Sequence, residues 1–140
     1  MNTSGIKRVV IKVGTSTLTH ASGQLNIRLV EELVKVISDI KNSGYEIALV
    51  SSGAIGLGAA RLGLKERPKD TPTKQACAAV GQCELMNMYD KLFNEYSIIA
   101  AQVLLTKYVL SDERKDIVEN SLEMILSKGA IPIVNENDTV

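Results

Sequence analysis

The sequence predicts an α/β fold, a three-layer αβα sandwich around a mainly parallel sheet, and three observations predict it. Strand-like and helix-like stretches alternate four times along the 140 residues, the order that gives right-handed crossovers and a parallel sheet. The apolar run Ile47-Ala48-Leu49-Val50 is continuous rather than alternating, which suits a strand covered on both faces. It runs straight into the small residues Ser51-Ser52-Gly53, at the carboxyl end where open parallel sheets hold their ligands.

Taken in order, Lys7–Val13 is a β-branched run stopped by Gly14-Thr15-Ser16, so a first strand and a phosphate-sized loop are expected. Lys12, next to the strand's end, can reach over that loop. A compact ammonium beside backbone N–H donors is a common way to hold transferring phosphates, although a solvated lysine beside a turn is the plainer alternative. Thr17–Asn26 is polar and contains glycine, an excursion before the first helix. From Ile27 to Ser43, Leu29, Val30, Leu33, Val34, Val36, Ile37 and Ile40 recur at helical spacing, with Glu31, Glu32, Lys35, Asp39 and Lys41 opposite. Gly44 closes this helix as its C-terminal cap, and Glu46–Val50 follows as the second strand.

Glu46–Leu64 is the stretch around which the chain is organised. Gly53 has no Cβ, so the backbone can turn sharply there and leave the next N–H groups facing outward at a helix start, a ready anion site. The spacing Gly53-x-x-Gly56-x-Gly58 inverts the dinucleotide order, and no G-x-x-x-x-G-K-[ST] is present. Gly56, Gly58, Ala59 and Ala60 can equally serve to pack the helix close to the sheet.

Arg61–Thr73, with Pro68 and Pro72, reads as an exposed connection, and Thr71 as the start of a helix with proline in its first position. That helix runs from about Thr73 to Glu95. Gly81 within it costs about 1 kcal/mol against alanine, which implies close packing against another helix, a ligand loop or a second subunit. Ser97–Thr106 is the third strand. Ser111-Asp112 starts a further helix, whose first turn contains Asp112 and Glu113 and whose buried stripe is Ile117/Val118, Leu122 and Ile125/Leu126, ending at Gly129. Ala130–Val134 is the fourth strand, with Pro132 indicating an irregular or edge position. Asn135-Glu136-Asn137-Asp138 then lies at its carboxyl end. In a parallel sheet Lys12, the 14–16 loop, Ser52-Gly53 and Asn135–Asp138 all open on one rim, where one cation, two donor loops and two carboxylates can converge.

Composition narrows the classes. One domain of this length buries roughly two thirds of its unfolded surface. Sixteen basic residues balance sixteen acidic ones, so no net field favours nucleic acid or an anionic membrane. Cys77 and Cys83 lie on different faces of one helix, too far apart to bridge, and read as reduced core thiols. His20 is the only histidine, so a zinc site and a Ser/His/Asp triad lack support; it reads as a loop residue. No apolar run is long enough for a signal peptide or a membrane span, and a cytoplasmic protein is expected.

Val10–Ser16 (VIKVGTS), Leu49–Gly58 (LVSSGAIGLG), Lys74–Gln82 (KQACAAVGQ) and Ile131–Val140 (IPIVNENDTV) resemble the amino-acid kinase family over nearly the whole chain. Within it they are similar to the branch that phosphorylates glutamate in the first step of proline synthesis, alone or as the kinase portion of a bifunctional pyrroline-5-carboxylate synthase. The resemblance implies transfer of phosphate from ATP, with Mg2+, to the γ-carboxylate of L-glutamate, giving an acyl phosphate for a glutamyl-phosphate reductase. It implies that Lys12 contacts the ATP phosphates and steadies the transferring group, with Gly14 and Thr15 as backbone donors beside it. Ser52, Gly53 and Ala54 would hold glutamate, and Asp138, with Asn135 nearby, its α-amino end. A homo-oligomer is also expected.

Such kinases continue past this point into a half that supplies the adenine pocket, a second phosphate-binding lysine and acidic residues near the metal. The chain therefore reads as the amino-terminal, substrate-binding part, truncated before the nucleotide-binding half and inactive by itself. Two other readings remain: a non-catalytic module binding glutamate or proline, and a relative acting on acetylglutamate, aspartate, carbamate or a nucleotide. The NEND and SSGAIGLG segments argue against the latter.

Overall fold

Arg8–Val13 (β1) and Glu46–Ser51 (β2) pair in parallel from Arg8↔Glu46 to Val13↔Ser51, so the two small-residue loops leave the sheet side by side. The computed structural model describes residues 5, 7–111 and 113–140. Ala100–Leu105 (β3) and Ile131–Glu136 (β4) complete the sheet in the order β1-β2-β4-β3, every pairing parallel. The helices are Thr15–Leu18 (α1), Ile27–Asn42 (α2), Ala54–Arg61 (α3), Thr71–Asn94 (α4), Lys107–Ser111 (α5) and Lys115–Ser127 (α6).

The core lies between one sheet face and α2 and α4. Val13, Ile47, Leu49, Ile131 and Ile133 from the strands meet Val30, Val34 and Ile37 of α2 and Leu85, Tyr89 and Phe93 of α4. Alternation on β1 places Val9, Ile11 and Val13 on this side and Arg8, Val10 and Lys12 on the other. There Arg8 reaches α6, donating to Glu123 Oε1 at 2.6 Å and to Glu46 Oε2 at 2.7 Å. Hydrogen bonding from Arg8 holds the Glu123 carboxyl below the usual carboxylate range. The expected three layers are present, with α6 on the second face.

Local chemistry accounts for the boundaries. Asn26 caps α2 by accepting from the Leu29 N–H, and Gly44 beyond its end takes φ +112°, the left-handed turn that glycine permits. Asp70, not Thr71, caps α4, accepting from the Thr73 N–H at 3.0 Å and hydroxyl at 2.7 Å. Asp is the stronger cap there, and Thr71 becomes helical.

The expected close approach at Gly81 is made to a helix. A Cβ on Gly81 would collide with the Ala54 carbonyl, and one on Gly58 with the Cys77 carbonyl. Of the two glycines of α3, Gly58 thus serves contact with α4 rather than with the sheet, while Gly56 faces Thr15 of α1.

Other expectations are corrected. The 14–16 loop and the start of the excursion form α1, pinned by the fully buried Leu18; Thr19 and Leu25 then bridge antiparallel. Residues 107–111 form α5, so Ser111 ends one helix rather than starting another, and α6 begins after Arg114. Asp112 lies outside the described residues. Leu29, Val36 and Ile117 are exposed, leaving Val30, Val34 and Ile37 as the buried stripe of α2 and Leu126 as the buried residue of α6. Cys83 is exposed, whereas Cys77 is buried, and both are free thiols.

Pro132 stands in the interior strand β4, not at an edge. Its neighbour Ile131 donates to Ile99 O on the β3 side, so position 132 turns its nitrogen toward β2. The β2–β4 ladder begins only at Leu49↔Ile133, and no donor is missed.

Candidate functional site

A cleft of about 360 Å³ opens at the carboxyl rim of the sheet. Its walls include Lys12 and Val13 from β1, Val50 to Ser52 from β2, Val134 to Glu136 from β4, and Leu105, Thr106, Lys107 and Leu110 after β3. All four strand ends contribute, as parallel topology requires.

Lys12, Ser52 and Asn135, three of the residues singled out in the sequence, share this cleft. Lys12 is exposed and Asn135 is buried. Thr15 does not line the cleft wall but touches a residue that does: its Oγ1 lies 3.2 Å from Ser52 Oγ, and Ser52 Oγ donates to Val13 O at 3.3 Å. The loops after β1 and β2 are thereby joined. Gly53 adopts φ +104° and is the N-cap of α3 with no side-chain cap, the conformation its lack of a Cβ allows. Gly14 caps α1, also without a side-chain hydrogen bond. Gly14, Gly53, Ala54 and Asp138 are not on the cleft walls.

Asp138 follows a turn in which its N–H donates to Glu136 O at 3.1 Å, and Asn137 N–H donates to Leu105 O at 2.8 Å. Its carboxyl is half-buried and raised above the usual carboxylate range, first by burial and then by the Glu136 charge. Such a group gains by receiving a cation. Among the described residues no group of three His, Cys, Asp or Glu side chains is placed to hold a metal ion.

Two features were missed. Lys107 and Leu110 of α5 reach the cleft; the rule that selected the other loops, position just after a strand, also applies to residues 106–110. Tyr89, a core residue of α4, places its hydroxyl 2.8 Å from Ser51 Oγ beneath the serine loop. Burial pushes its phenol above the ordinary value. Tyr89→Phe should cost about 1–2 kcal/mol, because the buried Ser51 hydroxyl loses its short partner and keeps only the 3.5 Å contact to Ser52 O. The pH dependence has a definite sign. The neutral phenol contributes fully below the unfolded value of about 10 and loses its contribution as pH rises through the higher folded value. Urea titrations from pH 8 to 11 should show stability falling in the wild type, with a shallower fall for Tyr89→Phe.

Residues 7–140 match the pattern of the amino acid kinase family. The chain belongs to the amino acid kinase family. A glutamate 5-kinase of Clostridium perfringens is 56% identical over 135 residues, covering 96% of this chain and 50% of that protein. One from Thermoanaerobacter sp. is 53% identical over 134 residues, covering 95% of this chain and 36% of that protein. The chain thus spans about half or less of the length of these relatives. Two solved structures share the fold of this amino acid kinase segment. An isopentenyl phosphate kinase of T. acidophilum aligns with TM-score 0.62 at 21% identity, over 91% of this chain and 54% of that one. A UMP kinase of Ureaplasma parvum aligns with TM-score 0.59 at 15% identity, over 92% and 55%. No helix among the described residues is long and apolar enough to cross a membrane.

Proposed function

We propose that the chain is the substrate-binding part of a glutamate 5-kinase, which transfers phosphate from ATP to the γ-carboxylate of L-glutamate. The observation that carries this is the single cleft shared by Lys12, Ser52 and Asn135, in a segment more than half identical to proteins of that name.

The chemistry suits these residues. A side-chain carboxylate is ionised at neutral pH, so no general base is needed. One carboxylate oxygen forms a bond to the γ-phosphorus as the bond from that phosphorus to the β,γ-bridging oxygen breaks; ADP leaves and no proton moves. What remains is positioning and charge stabilisation. Lys12 would oppose the charge of the transferring group, with Gly14 and Thr15 beside it. The Ser52-Gly53-Ala54 turn would grip glutamate, and Asp138, near Asn135, would receive its ammonium. Mg2+ would arrive on the ATP phosphates, which take much of its coordination. Among the described residues no cluster of His, Cys, Asp or Glu side chains fits a resident metal. The acyl phosphate is reactive, which suits a reductase as the next enzyme, and the reading extends to a cytoplasmic homo-oligomer.

The test uses residues 1–140 alone and joined to the downstream half of the C. perfringens relative. The joined chain should phosphorylate glutamate; the segment alone should not, and turnover by it would contradict the assignment of parts. In the joined chain, Asp138→Ala should raise the glutamate KM roughly tenfold, the loss of one charge-assisted contact, with the ATP KM little changed. An unaltered glutamate KM would overturn the substrate assignment. Calorimetric binding of glutamate or proline without turnover in the joined chain would instead favour a sensor.

A further inference from the structure

Three amide side chains, from α4, β3 and β4, form a line that runs from Asn135 on the cleft wall through Gln82 to the exposed Gln102. Asn135 Oδ1 accepts from the Glu136 N–H at 2.8 Å, Asn135 Nδ2 donates to Gln82 Oε1 at 2.9 Å, and Gln82 Nε2 donates to Gln102 Oε1 at 3.2 Å. The Glu136 N–H can only donate. It therefore fixes the orientation of Asn135, and through Asn135 that of both glutamines. Gln82 is 8% exposed and Asn135 7%, while Gln102 is exposed. Inside a protein such aligned hydrogen bonds polarise one another, and breaking one is costly.

We propose that Gln82 is a positioning residue for the amino acid substrate: it touches no ligand itself but sets glutamate affinity by holding Asn135. This rests on the function proposed above. Gln82 is well placed to act as a fixed point, because it follows Gly81, where α4 lies directly against the Ala54 carbonyl of α3. Asn135 in turn holds the Glu136 N–H at the start of the turn that ends in Asp138. When the Gln82 oxygen is removed, Asn135 Nδ2 has lost its partner in a buried setting. Asn135 rotates to recover one, the Glu136 N–H is released, and the Asp138 turn loosens. Lys12, held on β1 by its ladder with β2, is unaffected.

The joined chain described above provides the test. Gln82→Met should raise the glutamate KM about tenfold while kcat and the ATP KM stay within about twofold. Gln82→Asn, one methylene shorter, should do the same if the methionine variant folds poorly. Gln82→Glu, which keeps an oxygen for Asn135, should restore the glutamate KM to within about threefold of the wild type, since the exposed Gln102 can turn its amide to donate. A wild type that phosphorylates glutamate, with Gln82→Met and Gln82→Asn at unchanged glutamate KM, overturns this inference alone. Parallel rises in both KM values, the mark of general loosening, also overturn it. A wild type that leaves glutamate untouched overturns the functional reading and this inference together.

Discussion

Gly81→Ala is expected to lower the stability of the chain by on the order of 3–5 kcal/mol, a large part of what a domain of this size possesses. Helix propensity alone argues the reverse, since alanine in mid-helix is better than glycine by about 1 kcal/mol. Packing decides the sign. The added Cβ would overlap the Ala54 carbonyl, and its other close neighbours are also backbone, so no side chain can rotate away. Relief requires α3 and α4 to separate, which opens the core around Leu57 and Leu85. Chemical denaturation followed by circular dichroism measures the effect. A variant as stable as the wild type would show that the two helices do not meet at this spacing.

Lys12→Ala, in the chain joined to a downstream kinase half, should reduce kcat by about 10²- to 10³-fold, the usual cost of removing one preorganised group opposite developing charge. The glutamate KM should change little, because the proposed substrate contacts lie in the turn after β2 and at and beyond the end of β4. Lys12→Arg should recover only part of the loss, since a planar fork on a different stem does not replace a compact ammonium. The melting temperature should be unchanged, as Lys12 is exposed. Steady-state kinetics with each substrate varied gives the answer: a rise in glutamate KM at constant kcat would remove Lys12 from phosphoryl transfer and make it a binding residue.

Much of the fold was legible because short-range patterns specify it. The β-branched run at Val9–Val13, the buried stripe of α2, Gly44 beyond its end and Gly53 before α3 each follow from local sterics or periodicity. Gly81 announced a close contact, and α3 supplied it. What escaped notice depends on tertiary context. The four residues of α1 carry one anchoring apolar side chain, Leu18, and a single turn has no period to detect. The exposed Leu29, Val36 and Ile117 fit helical spacing yet fall outside the arc that the sheet covers. Pro132 suggested an edge, because the stagger of β4 against β2 cannot be read from one strand. At the cleft, the carboxyl-end rule found Lys12, Ser52 and Asn135. The Asn135–Gln82 bond spans 53 positions, and nothing local to either residue reveals it.

Arg8 fastens only one end of the outermost strand. Its fork grips Glu46 and Glu123 where β1 begins, with all three side chains at least 41% accessible to water, while Lys12 stands toward the opposite tip. Dissolved electrolyte weakens such exposed ion pairs but leaves apolar burial intact. Brine would therefore loosen the clasp between β1 and α6 well before it melted the domain, whereas the ladder to β2 that carries Lys12 would stay shut, so ionic strength would act on the seating of α6 rather than on that ammonium.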